Sequence, residues 1–386
     1  MNKEKLIPEL RFPEFENEGE WDKSKLSSVS DVIMGSSPSS LSYNENKIGL
    51  PLLQGNADIK NRLSTPRIYT TEITKECEIG DILLSVRAPV GTVAKSLHNA
   101  CIGRGISALR AKKPNSQEYI YQWLFSYESS WAKISQGGTF DAVNSDDIKN
   151  LLVPIPKPQE QQKIASCLSS LDALITAQAE KIEQLKLHKK GMMQNLFPQE
   201  GEKVPKYRFK EFENDGEWQE KSFENLFEIG NGRDYKHLGK GEIPVYGSGG
   251  YMLSVDEYLY DGDSVCIGRK GTIDKPMFLT GKFWTVDTLF YTHLFKNSLP
   301  KYIFYVFENI NWREHNEAGG VPSLSKTNVY KIKVLVPPND NLNEQQKIAS
   351  CLSSLDALIT AQSEKIEQLK LHKKGLMQGL FPKIEI

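Results

Sequence analysis

Cysteine is scarce in this sequence of 386 residues. The chain holds five cysteines, an odd number, and no two of them form a Cys-x-x-Cys pair. Disulfide scaffolds and structural zinc sites both depend on clustered cysteines, so the composition argues against each of them. A reducing compartment, the cytoplasm, fits this usage best, and we expect no metal site in the chain.

Long apolar runs are also missing. No stretch approaches the ~18 consecutive apolar residues that a membrane-spanning helix needs. The first nine residues, MNKEKLIPE, contain no apolar core of the kind that a signal peptide requires. We therefore expect neither a membrane span nor a secretory leader.

The chain has no excess of positive charge. Its 48 basic and 49 acidic side chains give a formal net charge of −1, which excludes a simple basic nucleic-acid coat. The charge is unevenly distributed, however. Residues 1–31 and 199–228 carry net charges of −3 and −4, whereas residues 32–157 and 229–341 carry +3 and +1. A DNA-binding role for the two positive segments therefore stays open.

Familiar catalytic motifs are absent as well. The sequence has no GxxxxGK phosphate loop, no HExxH, no GxSxG and no Asn/Asp-Pro-Pro-aromatic motif. The segment 247–250, GSGG, suits either a phosphate cradle or a hairpin turn, and the turn is the favoured interpretation. We predict that the chain has no catalytic residues.

What the sequence does contain is a long internal repeat. Residues 160–198 and 344–382 are identical at 36 of 39 positions, and residues 11–21 and 208–218 at 9 of 11. The stretches between these repeats diverge, so the order is variable, shared, variable, shared. Such a layout suits a protein that reads two different targets with one common frame.

The longer repeats carry an apolar heptad pattern, which predicts two helices that pair as a coiled coil. The predicted seam positions are Ile164, Leu168, Leu171, Ile175, Gln178, Ile182 and Leu185 in the first copy and Ile348, Leu352, Leu355, Ile359, Gln362, Ile366 and Leu369 in the second. The glutamines either fix the register of the pairing or are solvated. The sequence does not itself decide between parallel and antiparallel pairing.

The variable blocks have the pattern of mixed α/β domains. A Gly-Asp turn followed by a strand occurs at 80–87 and again at 262–269, and aromatic-rich helices are predicted at 119–131 and 300–312. A glycine loop follows at 137–139 and at 319–321, and each block ends in an apolar strand, at 151–156 and 334–338.

Cationic and amide side chains near these loops are candidates for contacting DNA, because they can donate to phosphates and to base edges. The candidates are Arg87, Lys95, Arg104, Asn144 and Lys149 in the first block and Arg233, Lys236, Arg269, Lys270 and Lys326 in the second. Arg87 and Arg269 are the strongest, since the Gly-Asp alignment gives them equivalent positions after a strand. For each residue the alternative is an ordinary surface salt bridge.

The whole layout resembles the specificity (S) subunit of type I restriction-modification enzymes. The resemblance rests on the lead motif Phe-x-x-Phe-x-x-x-x-x-Trp, the Gly-Asp-strand-Arg segment, the Gly-Gly loop before the sequence VPIP, and EQQKIA at 160–165, repeated at 344–349. It implies an α+β fold with two target recognition domains, 1–157 and 199–341. Two long helices, 158–198 and 342–386, would separate these domains as an antiparallel coiled coil.

The resemblance also implies function and partners. Each recognition domain would read one half of a bipartite, asymmetric DNA site. The helices would set the spacer and dock two methyltransferase subunits, which carry S-adenosylmethionine chemistry on adenine. A motor-nuclease subunit that uses ATP and Mg would add restriction. The chain itself would be a non-catalytic, cytoplasmic subunit without a cofactor. Its near-neutral charge predicts that it binds DNA weakly when isolated.

Two other interpretations remain open at this point. One is the recognition subunit of a different restriction class, such as a type II enzyme with a fused nuclease and methyltransferase. The other is a coiled-coil scaffold without a DNA role, which would have no affinity for duplex DNA even beside its partners.

Overall fold

A computed structural model describes residues 6–131, 142–338 and 341–382. The chain divides into two compact units. Unit 1 comprises the residues up to Ala179 and those from Glu364 onwards, and unit 2 comprises Glu180–Ser363. Each unit contains one variable block together with part of each long repeat. The predicted glycine loop at 137–139 lies outside the described residues.

Both long repeats are helical over 39 residues, and shorter helices belong to the variable blocks. The helices of the described residues are α1 Leu26–Val29, α2 Gln117–Tyr127, α3 Ser145–Lys149, α4 Pro158–Leu196, α5 Pro300–Asn309, α6 Lys326–Lys331 and α7 Leu342–Leu380. None of them is both long enough and apolar enough to cross a membrane.

The strands are short and are spread over both variable blocks. Unit 1 contains β1 Asp22–Lys25, β2 Ser30–Met34, β3 Tyr43–Asn44, β4 Leu50–Leu53, β5 Ile59–Lys60, β6 Leu63–Ser64, β7 Ile68–Thr70, β8 Glu76–Cys77, β9 Ile82–Ser85, β10 Val93–Lys95, β11 Ala100–Ile102, β12 Ile106–Ala111 and β13 Leu152–Ile155. Unit 2 contains β14 Gln219–Ser222, β15 Glu228–Asn231, β16 Lys240–Gly247, β17 Gly250–Val255, β18 Tyr260–Asp261, β19 Ser264–Gly268, β20 Met277–Leu279, β21 Lys282–Thr285, β22 Leu289–His293 and β23 Lys333–Val336.

The two units share a sheet plan despite their divergent sequences. The antiparallel order β2-β12-β9-β10 of unit 1 recurs as β15-β22-β19-β20 in unit 2. In the second sheet of each unit, the parallel pair β4–β11 recurs as β16–β21. The predicted α+β class, with two sheet-rich domains and long helices, is confirmed. Unit 1 extends the plan with β5 and β6 at the edge of one sheet and β3 at the edge of the other.

An aromatic helix fills the main core of each unit. Tyr119 on α2 and Tyr302 on α5 are fully buried, and each lies beside the tryptophan of the lead segment of its unit (residues 11–21 or 208–218), Trp21 or Trp218. Burying rings of this size removes much apolar surface from water and so supplies a large share of the core's stability.

A buried ion pair attaches each lead segment to the start of a long helix. Arg11 donates from Nε and Nη2 to the two carboxylate oxygens of Glu160, each at 2.8 Å, and Arg208 binds Glu344 with the same two distances. Because both side chains of each pair are at most 8% exposed, either partner alone would be a costly buried charge. This pairing explains why the repeated lead segments accompany the repeated helices.

The glutamine after that glutamate ties the same helix start to the aromatic helix. Gln161 accepts from the Ser116 backbone N–H at 2.9 Å, and Gln345 accepts from that of Leu299 at 2.9 Å. Ser116 and Leu299 are the residues directly before α2 and α5. The Glu-Gln pair of each repeat is therefore a structural device of its unit.

The long helices pack antiparallel within each unit, which the sequence did not decide. In unit 1, Ile164 and Leu168 near the start of α4 share a core with Leu380 near the end of α7. In unit 2, Leu196 at the end of α4 shares a core with Ile348 near the start of α7.

The predicted seam residues are all buried or half-buried: Ile164, Leu168, Leu171, Ile175, Gln178, Ile182 and Leu185 on α4, and Ile348, Leu352, Leu355, Ile359, Gln362, Ile366 and Leu369 on α7. The side-chain oxygens of Gln178 and Gln362 are buried and have no hydrogen-bond partner among the described residues.

Candidate nucleic-acid interface

Three loops meet at one end of the shared sheet plan in each unit. The first follows β9 in unit 1 and β19 in unit 2. The Val86 N–H donates to the Gly105 carbonyl at 3.0 Å, and the Val86 carbonyl accepts from the Val143 N–H at 3.0 Å. In unit 2 the Arg269 N–H donates to the Thr288 carbonyl, and its carbonyl accepts from the Leu324 N–H, both at 2.8 Å. Val86 and Arg269 are therefore structural equivalents.

It follows that Arg87 is equivalent to Lys270, and the predicted equivalence of Arg87 and Arg269 is wrong by one residue. An isolated antiparallel bridge joins Arg87 to Ala142, and a matching bridge joins Lys270 to Ser323.

The reason for the shift is strand alternation. Ile82 and Leu84 face the main core of unit 1, and Val265 and Ile267 face that of unit 2. Aligning the Gly-Asp turns would place the buried Ser264 opposite Ile82. Unit 2 therefore has one more residue between turn and strand.

The second loop follows β11 in unit 1 and β21 in unit 2. The Gly103 N–H donates to the Leu53 carbonyl at 2.8 Å, and the Ile106 N–H donates to the Gly103 carbonyl at 3.0 Å. In unit 2 the Val286 N–H donates to Tyr246 and the Leu289 N–H donates to Val286, both at 3.0 Å. These matching bonds place Arg104 and Asp287 at the same position of the frame.

The third loop follows β2 in unit 1 and β15 in unit 2. The Ser36 N–H donates to the Ile102 carbonyl at 2.9 Å, and the Arg233 N–H donates to the Thr285 carbonyl at 2.8 Å. The same backbone position thus carries a small neutral side chain in unit 1 and an arginine in unit 2.

Arg87 and Arg104 are the predicted residues that unit 1 brings together at this end. Both are exposed, and neither guanidinium has a hydrogen bond or ion pair among the described residues. Lys149, at the end of α3, is also exposed, with no side-chain partner in the described part of the chain.

Two predicted residues of unit 1 are engaged in other interactions. Lys95 lies at the other end of β9, where it pairs with Ile82. Its Nζ is 2.5 Å from Glu118 and lies 4.3 Å from the centre of the Tyr121 ring. Asn144 accepts from the backbone of Asp146 and Asp147 and so caps α3. These partners explain both residues without a role at the interface.

A cavity of about 680 Å³ opens at the same end of unit 2. Its walls are residues 234–236, 247–252 and 286–288, so it contains Lys236 and Asp287. Gly247 pairs with Gly250, which makes Ser248 and Gly249 the two-residue turn of a hairpin. The prediction of a hairpin turn at 247–250 is therefore confirmed. This turn forms one wall of the cavity.

The other predicted DNA-contacting cations of unit 2 lie around this end. Arg233 precedes one cavity wall, and the backbone of Arg269 and Lys270 bonds to Thr288 on another. Arg233, Lys236 and Lys270 are exposed and have no hydrogen-bond or ion-pair partner for their side chains among the described residues. Two further candidates lie over aromatic rings, Arg269 at 5.8 Å from the centre of Phe290 and Lys326 at 5.3 Å from that of Tyr330.

Asp287 is the residue of this site that the sequence did not reveal. Its significance comes from its equivalence with Arg104, which is set by backbone bonds between strands far apart in the sequence. No local motif surrounds either residue, so pattern reasoning had no signal with which to pair them. Within the described residues, no cluster of histidine, cysteine or acidic side chains could hold a metal ion.

A sequence model for the type I restriction modification DNA specificity domain matches residues 18–187 and again residues 215–371. The two matches together span more than half of the chain, and each takes in one variable block.

Individual relatives match a smaller part of the chain than the family model does. The chain is 36% identical over 166 residues to a Methanocaldococcus jannaschii protein assigned as the specificity subunit of the type I restriction enzyme MjaX. It is 30% identical over 190 residues to the MjaIX specificity subunit of the same organism. These alignments span 43% and 46% of this chain but 39% and 44% of the relatives, so less than half of each relative's length is matched.

A solved structure matches over the full length. The S subunit of a type I restriction-modification system from M. genitalium superposes with a TM-score of 0.69, covering 98% of this chain and 100% of that one. Since the two sequences are only 18% identical, this likeness establishes the fold alone.

Proposed function

The chain belongs to the family of type I restriction-modification DNA specificity domains, and from this premise we propose that it is the DNA-recognition subunit of a type I restriction-modification enzyme. Each unit would read one half of a bipartite, asymmetric DNA site. The chain would direct adenine methylation and restriction that are carried out by its partners and would itself be non-catalytic.

One observation carries this proposal. The three-loop end has the same backbone frame in both units, but the exposed side chains on that frame differ. Arg87 and Arg104 in unit 1 stand where unit 2 has Lys270 and Asp287. Two different base sequences require different hydrogen-bond donors and acceptors, and here these are presented on the same backbone frame.

The proposed partners are two methyltransferase subunits, motor-nuclease subunits and duplex DNA. Support for two identical partners comes from the helix repeats, which share nearly all of their residues, including exposed ones that packing does not require. Leu187 and Leu371 are 69% and 68% exposed, yet both copies keep the leucine.

In this proposal S-adenosylmethionine belongs to the methyltransferase, ATP and Mg belong to the restriction partner, and the chain holds no cofactor. The five cysteines, all free thiols, suit the cytoplasm that the proposal implies.

The proposal is tested by DNA binding of alanine variants in complex with the methyltransferase. Arg87→Ala and Lys270→Ala should each weaken binding to the target duplex at least several-fold, because each removes an exposed cation at the three-loop end. Lys206→Ala, which removes an exposed cation just before the repeated segment 208–218 of unit 2, is the control and should bind like the unaltered chain.

Methylome sequencing of cells that express the complex provides the second readout. We expect one methylated adenine motif with two specified halves and an unspecified spacer. A complex that selects no DNA sequence would contradict the proposal and would favour the scaffold interpretation. Unchanged affinity in both loop variants would contradict the assigned interface.

A further inference from the structure

We propose that the position shared by Arg104 and Asp287 reads a base in each half of the DNA site. Arg104 would bind guanine, and Asp287 would accept from the exocyclic amino group of a cytosine or an adenine. This inference rests on the proposed function and names the residue pair that makes the two halves different.

The first support is the position itself. Matching backbone hydrogen bonds fix the residues on either side, Gly103 and Ile106 in unit 1 and Val286 and Leu289 in unit 2. At this fixed point of the frame the side chain changes from a cation to an anion.

The second support is that both side chains are exposed and uncommitted. Neither the Arg104 guanidinium nor the Asp287 carboxylate has a hydrogen bond or ion pair among the described residues. Other acids of unit 2 are used structurally: Asp274 accepts from Arg313 at 2.8 Å, and Asp256 accepts from the Gly239 N–H at 2.9 Å. Asp287 instead lines the cavity together with Lys236 and has no partner in the described part of the chain.

The chemistry of the major groove then determines what each side chain can bind. Guanine offers two acceptors, O6 and N7, which a guanidinium binds with two parallel hydrogen bonds. A carboxylate is repelled by phosphates and has no use for those acceptors. It can accept only from the amino groups at N4 of cytosine and N6 of adenine. An aspartate on a DNA-binding surface is therefore best satisfied at one of these amino groups.

The surroundings of Asp287 suit this role. The Ser248–Gly249 turn and the exposed Tyr251 line the same cavity as Asp287. Lys236 lines the same cavity and can neutralise a phosphate beside the base that is read. A base edge would thus meet an acceptor while the backbone beside it meets a cation.

The experiment is methylome sequencing of the full chain co-expressed with its methyltransferase, comparing the unaltered chain with Asp287→Ala, Asp287→Arg and Arg104→Gln. Asp287→Ala should relax one specified cytosine or adenine, with discrimination at that base falling about 5- to 150-fold, the range for one good base contact. Asp287→Arg should change the preference at that base to guanine. Arg104→Gln should change a guanine to adenine in the other half of the motif.

Asp261→Ala and Asp261→Arg are the matched controls. They make the same charge changes in unit 2, but Asp261 pairs with Lys282 at the opposite end of β21. Their motifs should equal that of the unaltered chain. A bipartite motif that stays unchanged in both Asp287 variants would overturn this inference and leave the proposed function standing.

A uniform rise in methylation at all sites, without a change of motif, would show that Asp287 only repels phosphate, and it would also overturn the inference. Absence of any motif for the unaltered chain would instead overturn the proposed function. If methylation is lost in the Asp287 variants alone, selection of bound duplexes from a randomised library at low salt supplies the base preference, and a preference equal to that of the unaltered chain counts against the reading role.

Discussion

Lys373 on α7 donates to both carboxylate oxygens of Asp172 on α4, at 2.6 and 2.7 Å. The lysine side chain is 6% exposed, and its Nζ also lies 4.6 Å from the centre of the Phe125 ring. Unit 2 repeats the arrangement with Lys189 and Asp356 at 2.7 Å. Each ion pair joins the two antiparallel helices of its own unit and thereby opposes a shift of their register.

Removal of one partner should therefore destabilise unit 1. Asp172→Ala leaves the Lys373 ammonium buried beside a ring, and Gln122 also loses its bond to Asp172. We expect a loss of about 1–3 kcal/mol in the free energy of unfolding, below the cost of a fully buried pair because Asp172 is 39% exposed. Urea denaturation measures the loss, and hydrogen exchange in α2 locates it.

Glu367→Ala is the control for this prediction. It removes the exposed pair between Lys370 and Glu367, also on α7, where the change in stability should stay within about 0.5 kcal/mol. Equal effects of the two substitutions would mean that the Lys373 pair does not stabilise the helix packing.

Lys373 and Lys189 should titrate differently. Burial lowers the pKa of Lys373, and its single carboxylate partner, Asp172, does not compensate. Lys189 is also buried, but Asp356 and Glu308 together outweigh that burial and raise its pKa. Selective ¹⁵N labelling of lysine and an NMR titration of the Nζ groups should place Lys373 below and Lys189 above the ordinary value of 10.5.

The sign of the linked stability follows from proton counts. Between the folded pKa of Lys373 and 10.5, the unfolded chain binds more protons at this residue, so its contribution favours folding more strongly as pH rises. Phe125→Glu supplies the second carboxylate that Glu308 supplies in unit 2, and it should raise the pKa of Lys373. A pKa of Lys373 unchanged by Phe125→Glu would disprove this account of the asymmetry.

The long helices and the α+β fold class could be predicted from sequence, because heptad spacing and proline positions are local signals. The aromatic helices were predicted at 119–131 and 300–312, but α2 and α5 end earlier, at Tyr127 and Asn309, where single 3₁₀ turns take over within one to three residues. The pairing of Arg104 with Asp287 could not be predicted. It depends on hydrogen bonds between strands distant in sequence, and the visible Gly-Asp alignment is shifted by one residue.

The exposed leucines of the repeats should be needed for assembly with two identical partners. Leu187→Glu together with Leu371→Glu places charge on two exposed positions without touching the seam, so the fold should persist. We expect native mass spectrometry to show two methyltransferase subunits per unaltered chain and fewer on the double variant. The single variants should each lose at most one subunit.

Leu97→Glu is the matched control for the leucine variants. It changes an exposed leucine, 51% accessible, in the variable block of unit 1, and it should keep full stoichiometry. Full stoichiometry of the double leucine variant would place the partner surface elsewhere on the chain.

Helix length should set the spacer between the two halves of the DNA site. Both α4 and α7 run for 39 residues and contribute to both units. One heptad inserted after Ile175 in α4 and one after Ile359 in α7 keep the apolar repeat in phase and lengthen each helix by about 10 Å. At about 3.4 Å per base pair, the methylated motif should gain about three unspecified base pairs. The bases in both halves should stay as they are, because the three-loop ends are unaltered.

A heptad in α4 alone breaks the match between the helices and should lower stability. A motif with an unchanged spacer in the doubly extended chain would show that the helices do not measure the site.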